Sequence, residues 1–102
     1  MYDQLKDTLS DYFRHEPVVR AYLFGSYARD TQGDASDIDL LVELDYANGA
    51  DFYNFLRMQR ELPILLKKSV DLVSANGLSP HIKPIIDGEK VLLYENTAGQ
   101  SS

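Results

Sequence analysis

Apolar and polar residues alternate along the chain with the periods of helices and strands. Near the start, apolar side chains recur every three or four positions, which predicts an amphipathic helix that ends before Pro17. Two later stretches alternate every second residue and predict strands with one buried face, Val18 to Phe24 and Asp37 to Leu44. In the first strand we expect Val19, Ala21 and Leu23 on the buried side.

The second half of the chain continues with a helix and a strand. The longest amphipathic segment, Asp51 to Leu66, predicts a helix. Pro63 lies inside it and is expected to kink or split the helix, because proline cannot donate the helical hydrogen bond. Ser69 to Val73 then predicts a strand that points Asp71 away from its apolar neighbours.

A short helix and a last strand complete the pattern. Ser79 and Pro80 suit a helix start, so a helix is expected to run to about Asp87, made irregular by Pro84 and stopped by Gly88. The last strand is expected at Lys90 to Tyr94.

A turn and a loop separate the first two strands. Gly25 ends the first strand, Ser26 to Arg29 suits one helical turn, and Thr31 to Ser36 is a polar loop. The resulting order α-β-α-β-α-β-α-β predicts the α/β class (α+β by some schemes), with a mixed sheet and helices on one face. We expect one domain over residues 1–95 and a disordered tail over 96–102.

The amino-acid composition excludes several kinds of site and classes of protein. The 102 residues suit one small domain, and the absence of cysteine excludes disulfides and thiolate metal sites. The two histidines, His15 and His81, are far apart in sequence and are expected at the surface. No signal-peptide layout or membrane-length apolar run occurs, so we expect a cytoplasmic protein without membrane contact. A net charge of −6 argues against direct nucleic-acid binding.

The position of that charge is more informative than its sum, because five of the six net negative charges lie between Phe24 and Asp45. Asp37 and Asp39 stand two residues apart on a predicted strand and therefore share a face, where they can bind hard cations such as Mg²⁺. Asp71 can complete a carboxylate triad from the next strand. Such a triad with one or two Mg²⁺ ions is the apparatus for displacement at phosphorus.

A phosphate site is expected beside these carboxylates. Gly25 and Ser26 let backbone N–H groups and a hydroxyl approach a phosphate, and Arg29 can add a cationic contact. An ion pair with a local carboxylate is an equal alternative for Arg29. For Lys67 and Lys68 a solvated helix end is favoured over a phosphate role; Tyr22 and Phe24 could stack on a base or simply pack.

Two motifs carry a family resemblance. Gly25-Ser26-Tyr27-Ala28-Arg29 and its spacing to Ser36-Asp37-Ile38-Asp39-Leu40 resemble the signature of the polymerase-beta-type nucleotidyltransferases. The second motif, Val70-Asp71-Leu72-Val73 followed by Leu78-Ser79-Pro80 and Leu93-Tyr94-Glu95, is similar to the minimal nucleotidyltransferase (MNT) branch. That branch contains small bacterial and archaeal proteins commonly encoded beside a HEPN-type RNase toxin, which they neutralise.

The resemblance implies a nucleotidyltransferase fold and an antitoxin that moves AMP from ATP onto a tyrosine hydroxyl of a HEPN-type toxin. Asp37, Asp39 and Asp71 would be catalytic and would bind Mg²⁺, two ions in all, and Asp71 would help deprotonate the acceptor. Gly25, Ser26 and Arg29 would bind the nucleotide. We expect a toxin complex, and a homodimer or hetero-oligomer.

One residue departs from the family pattern and keeps an alternative open. Asp30 stands where the family usually has glycine, and its charge could weaken ATP binding. A non-catalytic or weakly catalytic antitoxin that neutralises its toxin by binding is therefore the alternative. A weaker reading, glycosyl transfer from a metal-bound nucleotide sugar, is disfavoured by the short chain.

Overall fold

The computed structural model describes residues 2–25, 37–75, 80–81 and 83–96. Its elements follow the chain as three helices, four strands and one short 3₁₀ turn: α1 (Tyr2–Arg14), β1 (Val18–Phe24), β2 (Ile38–Leu44), the 3₁₀ turn (Tyr46–Asn48), α2 (Phe52–Leu66), β3 (Val70–Ser74), α3 (Lys83–Glu89) and β4 (Val91–Glu95). Three predictions fall outside the described residues: the helical turn at Ser26 to Arg29, Ser79 of the helix start, and residues 97–102 of the tail. Pro80, expected as the first helical residue, lies in a turn, and the helix begins only at Lys83.

The four strands form one mixed sheet in the order β3-β2-β1-β4. β1 runs antiparallel to both β2 and β4, whereas β2 and β3 are parallel. The mixed sheet and the α/β (or α+β) class predicted from the sequence are thereby confirmed. At the end of β4 the Asn96 N–H donates to the Val19 carbonyl at 2.8 Å.

One face of the sheet packs against α1 and α2. Leu40 and Val42 of β2 are fully buried on this face, as the two-residue alternation predicts. They join a core with side chains from both helices, including Leu9, Phe13, Met58 and Leu62. Burying each large apolar side chain contributes about 2 kcal/mol, so this layer supplies the main driving force of the fold.

The start of β1 differs from the predicted alternation. Val18 is buried in the core, whereas Val19, which was expected there, is only half-buried. The pairing with β2 shifts between Val18 and Arg20, where one extra residue is accommodated as a bulge. Beyond the bulge the prediction is correct, since Ala21 and Leu23 are buried.

Helix α2 runs through Pro63 without interruption, so the split expected there is absent. The proline lies in the last turn and leaves only the carbonyl of Gln59 without its helical donor. Because Gln59 is exposed, water can satisfy that carbonyl. The helix begins with a capping box in which Asp51 and Asn54 exchange hydrogen bonds at 3.1 and 2.8 Å.

Helix α3 does not stop at Gly88 as predicted. It includes Gly88 and ends at Glu89, and the Lys90 N–H still donates to the Ile86 carbonyl at 2.8 Å. Asp87 bridges Lys83 at 2.9 Å and Lys90 at 2.8 Å, which holds both turns together across the glycine. The expected irregularity at Pro84 is absent because Pro84 lies in the first turn, where no helical N–H is needed.

α3 also approaches the sheet from the side opposite to α1 and α2. Its Lys83 and Asp87 line a cavity of about 200 Å³ together with Tyr22 and Leu41 of that opposite face. The site-bearing face is therefore partly covered by α3, so the expectation of helices on one face holds for α1 and α2 but not for α3. Over the described ranges, no helix is long and apolar enough to cross a membrane.

Candidate active site

Two of the predicted carboxylates meet on neighbouring parallel strands. Asp39 is the second residue of β2, Asp71 is the second residue of β3, and the two are direct partners in the pairing of these strands. Directly paired residues point to the same face of a sheet, so both carboxylates lie on the face opposite to the α1/α2 core. Asp37 immediately precedes β2 and is exposed.

The donor set suits a hard divalent cation. Adjacent strands are about 4.8 Å apart, a spacing at which one ion can bridge paired carboxylates. Within residues 2–25, 37–75, 80–81 and 83–96, no three acidic or histidine side chains already surround a common point. The side chains of Asp37, Asp39 and Asp71 would therefore have to rotate to bind one ion together.

Gly25 occupies a position that no side chain could share with Asp39. It follows Phe24, whose partner across the sheet is Asp39, and it has a φ of +72°. A Cβ atom at Gly25 would overlap the Asp39 carboxylate. Glycine is thus required here both by the left-handed backbone and by the carboxylate. The sequence predicts that this glycine lets a phosphate come close to the backbone, but its contact with Asp39 is visible only in the fold.

The other predicted nucleotide-binding residues, Ser26 and Arg29, lie outside the described residues, as does Asp30. Their roles stay predictions. Of the predicted site, the structure brings together Gly25, Asp39 and Asp71, with Asp37 at the adjoining strand end.

Glu89 is a residue near the site to which the sequence analysis assigned no role. The Gly25 N–H donates a hydrogen bond to its Oε1 at 3.4 Å. The contact spans 64 residues, so no local pattern could reveal it, and α3 was expected to end before Glu89. A carboxylate from α3 therefore reaches the turn that follows β1.

Tyr22 lies on the site-bearing face but is engaged in packing. Its partner across the sheet is Leu41, and the Lys90 ammonium stands 4.2 Å from the centre of its ring. Of the two alternatives for Tyr22, packing is the one that this geometry favours. Phe24 is closer to the site, since it pairs with Asp39.

The remaining candidates lie apart from the carboxylates or at helix ends. Lys67 ends α2 in a left-handed conformation with a φ of +55°, and it is exposed, as expected for a solvated helix end. His15 and His81 are exposed, as predicted. On the site-bearing face, Arg20 pairs with Glu95 at 2.7 Å and with Glu43 at 3.0 Å and thereby ties three strands together.

The chain is similar in sequence to known proteins. The model of the family described as "Polymerase beta, Nucleotidyltransferase" matches residues 4–98. A Methanocaldococcus jannaschii protein that carries the provisional name of a protein adenylyltransferase is 42% identical over 74 residues, which are 72% of this chain and 77% of that protein.

Solved structures share the fold. A structure described provisionally as a minimal nucleotidyltransferase is 33% identical, with a TM-score of 0.71 over 88% of this chain and 93% of that one. A toxin–antitoxin complex with AMP-PNP has a TM-score of 0.75 at 24% identity, over 94% of this chain and 77% of that one. A tri-AMPylated Shewanella oneidensis HEPN toxin in complex with an MNT antitoxin gives 0.71 at 21% identity, over 99% and 78%. The last two matches show the fold alone.

The family match covers most of the chain, and the M. jannaschii protein and the minimal nucleotidyltransferase are 42% and 33% identical to it. This chain therefore belongs to the polymerase-beta nucleotidyltransferase family, in its minimal branch.

Proposed function

We propose that this protein transfers AMP from ATP to a tyrosine hydroxyl of a HEPN-type RNase toxin and acts as its antitoxin. The observation that carries the proposal is the pairing of Asp39 with Asp71, with Gly25 pressed against Asp39. This arrangement offers two carboxylates on one sheet face beside a strand end that a phosphate chain can approach closely.

The proposed roles are those that the family resemblance implies for these residues. Asp37, Asp39 and Asp71 would hold Mg²⁺, which when bound neutralises phosphate oxygens and aligns the attacking and leaving groups. Gly25, Ser26 and Arg29 would bind the triphosphate of ATP. Asp71 is exposed at the edge strand β3 and so can face an acceptor that arrives from outside.

The proposed reaction is a displacement at the α-phosphorus of ATP. The acceptor oxygen forms a bond to the α-phosphorus while the bond from that phosphorus to the bridging oxygen of the β-phosphate breaks, so pyrophosphate leaves. The hydroxyl proton passes to the Asp71 carboxylate. The products are an AMP ester of the acceptor and pyrophosphate.

The proposed partner and acceptor rest on related proteins. One relative is named provisionally as a protein adenylyltransferase, and one solved neighbour contains a HEPN toxin carrying AMP groups together with an MNT antitoxin. The neighbour with AMP-PNP holds an analogue of ATP. Transfer from ATP to a protein hydroxyl accounts for all three descriptions with one reaction.

The test uses this protein, Mg²⁺ and the product of the neighbouring gene, which the proposal expects to be a HEPN-type toxin. ATP labelled at the α-phosphate should label the toxin, whereas ATP labelled at the γ-phosphate should not, because AMP and not phosphate is transferred. Mass spectrometry locates the modified residue, and its Tyr→Phe variant should stay unlabelled. Wild-type protein that labels no toxin with Mg²⁺ present would contradict the enzyme proposal.

The same experiment separates catalysis from neutralisation by binding. Asp39→Ala and Asp37→Ala variants should still form the toxin complex but should neither label the toxin nor rescue cells that express it. Rescue of such cells by Asp39→Ala would instead favour the binding antitoxin, which rests on Asp30 outside the described residues.

A further inference from the structure

The Glu89 carboxylate lies where it can control the turn that ends β1. Its Oε1 accepts the hydrogen bond from the Gly25 N–H at 3.4 Å, and Gly25 is the residue whose missing Cβ makes room for Asp39. Three elements thus meet at the Gly25 peptide group: the end of β1, the start of β2 and the end of α3. A change in the orientation of the Gly25 peptide would shift the boundary of the space open to the Asp39 carboxylate.

The location of Glu89 at the end of α3 is unfavourable for a carboxylate. Glu89 is the last residue of the helix, where the helix dipole is negative and disfavours a carboxylate. A backbone N–H donor from Gly25 offsets part of this repulsion.

The packing of α3 does not depend on Glu89 alone. Ile86 is buried, Lys90 stands over the Tyr22 ring, and Asp87 bridges Lys83 and Lys90 within the helix. Removing the Glu89 carboxylate should therefore leave α3 on the sheet while the Gly25 N–H loses its acceptor.

We infer that Glu89 is a positioning residue of the nucleotide site: through the Gly25 N–H it fixes the turn against which Asp39 is placed. This inference rests on the proposed function, in which Gly25 and Asp39 bind nucleotide and metal.

The test compares three variants of the full chain. Glu89→Ala removes the acceptor, Glu89→Gln keeps a carbonyl oxygen that can accept the same hydrogen bond, and Asp87→Ala removes the ion pairs of α3 without touching Gly25. Calorimetry measures the dissociation constant of Mg-ATP, and amide hydrogen exchange followed by NMR reports on the Gly25 N–H. Thermal unfolding verifies that each variant is folded.

Glu89→Ala should speed exchange of the Gly25 amide and weaken Mg-ATP binding about five- to tenfold, the loss expected for one hydrogen bond of ordinary strength. Glu89→Gln and Asp87→Ala should each stay within about twofold of wild type, since both keep an acceptor at Gly25. A merely structural role would lower the unfolding temperature without this distinction between alanine and glutamine.

Three results would overturn the inference. If the Gly25 amide exchanges at the same rate in Glu89→Ala as in wild type, the hydrogen bond to Glu89 does not protect it, whatever happens to nucleotide binding. Equal weakening by Asp87→Ala would assign the effect to a loosened α3. Wild-type protein that binds no Mg-ATP, with normal exchange at Gly25, would overturn the proposed function and the positioning role with it while leaving the contact in place.

Discussion

Asp39 and Asp71 stand directly opposite each other on the parallel strands β2 and β3, with both side chains on the same face. Two like charges at directly paired positions repel each other and destabilise the sheet. A bound cation would reverse the sign of this interaction. The pair therefore couples the stability of the sheet to the occupancy of the proposed metal site.

Asp39→Asn and Asp71→Asn should each abolish transfer while the protein stays folded, and Asp71→Asn should leave the metal-free protein at least as stable as wild type. Loss of a metal ligand removes several kcal/mol of transition-state stabilisation, so kcat should fall at least about a hundredfold. Mg²⁺ should raise the unfolding temperature of wild type but not of the variants, because only wild type gains a bound ion. Labelled-ATP transfer and thermal unfolding with and without Mg²⁺ measure both effects.

Asp11→Asn provides the matched control for these two variants. Asp11 is an exposed aspartate of α1 that pairs only with Arg14 in the same helix, at 3.4 Å among the described contacts. The rate at which Asp11→Asn transfers AMP and the rise of its unfolding temperature with Mg²⁺ should equal those of wild type. A variant of Asp39 or Asp71 that behaves like Asp11→Asn would contradict a metal-binding role for that residue.

Gly25→Ala should destabilise the fold more than Gly49→Ala. Both glycines have positive φ, +72° and +97°, so both substitutions carry the left-handed backbone cost of about 1–2 kcal/mol. Only at Gly25 would the new Cβ overlap a neighbour, the Asp39 carboxylate, whereas at Gly49 nothing lies within 4 Å. Gly25→Ala should therefore cost about 1–3 kcal/mol more. Urea unfolding of both variants measures the difference, and equal losses would show that Asp39 does not restrict Gly25.

Whether a feature of this site can be predicted from the sequence depends on how far apart along the chain the contacting residues lie. The two-residue alternation of β2 and β3 is local, and it correctly places Asp39 and Asp71 on the face away from the core. The Gly25–Glu89 contact spans 64 residues and depends on how α3 returns to the sheet. No local pattern contains that information, so this part of the site could be found only in the folded chain.

Two other departures from the predicted elements also depend on contacts between residues that a local pattern does not contain. The bulge after Val18 is set by the pairing of β1 with β2, because it changes which valine faces the core without changing the residue types. The continuation of α3 through Gly88 is accompanied by ion pairs of Asp87 with Lys83 and Lys90, which a pattern of residue types does not reveal. Glycine permits a helix to end but does not force it to do so.

Gly88→Ala should stabilise the protein by about 0.5–1 kcal/mol. Gly88 lies inside α3, where alanine loses less backbone entropy than glycine, and nothing lies within 4 Å of the new Cβ. The unfolding temperature should rise by about 3–6 °C. If the helix instead ended at Gly88, as the sequence alone suggests, alanine would bring no gain, so an unchanged or lower unfolding temperature would contradict the observed helix end.

Tyr12→Phe should weaken the contact between α1 and α2 in a way that depends on pH. The Tyr12 hydroxyl donates to Glu61 of α2 at 2.6 Å. Burial, followed by this hydrogen bond and the nearby Glu16 charge, raises the pKa of Tyr12 well above its ordinary value. The stabilisation is thus fully present below the unfolded pKa of about 10. It is lost as the pH rises further, because only the unfolded chain then releases the phenolic proton.

Urea unfolding at pH 7 and at pH 10.5 tests this prediction. Wild type should exceed Tyr12→Phe by about 1 kcal/mol at pH 7, the typical net value of one hydrogen bond, and the difference should shrink at pH 10.5. Tyr53→Phe is the matched control, because Tyr53 is 78% exposed on α2 and should show no difference at either pH. A gap between wild type and Tyr12→Phe that stays constant from pH 7 to pH 10.5 would mean that the hydroxyl titrates alike in the folded and unfolded chains, and that Glu61 does not hold its proton.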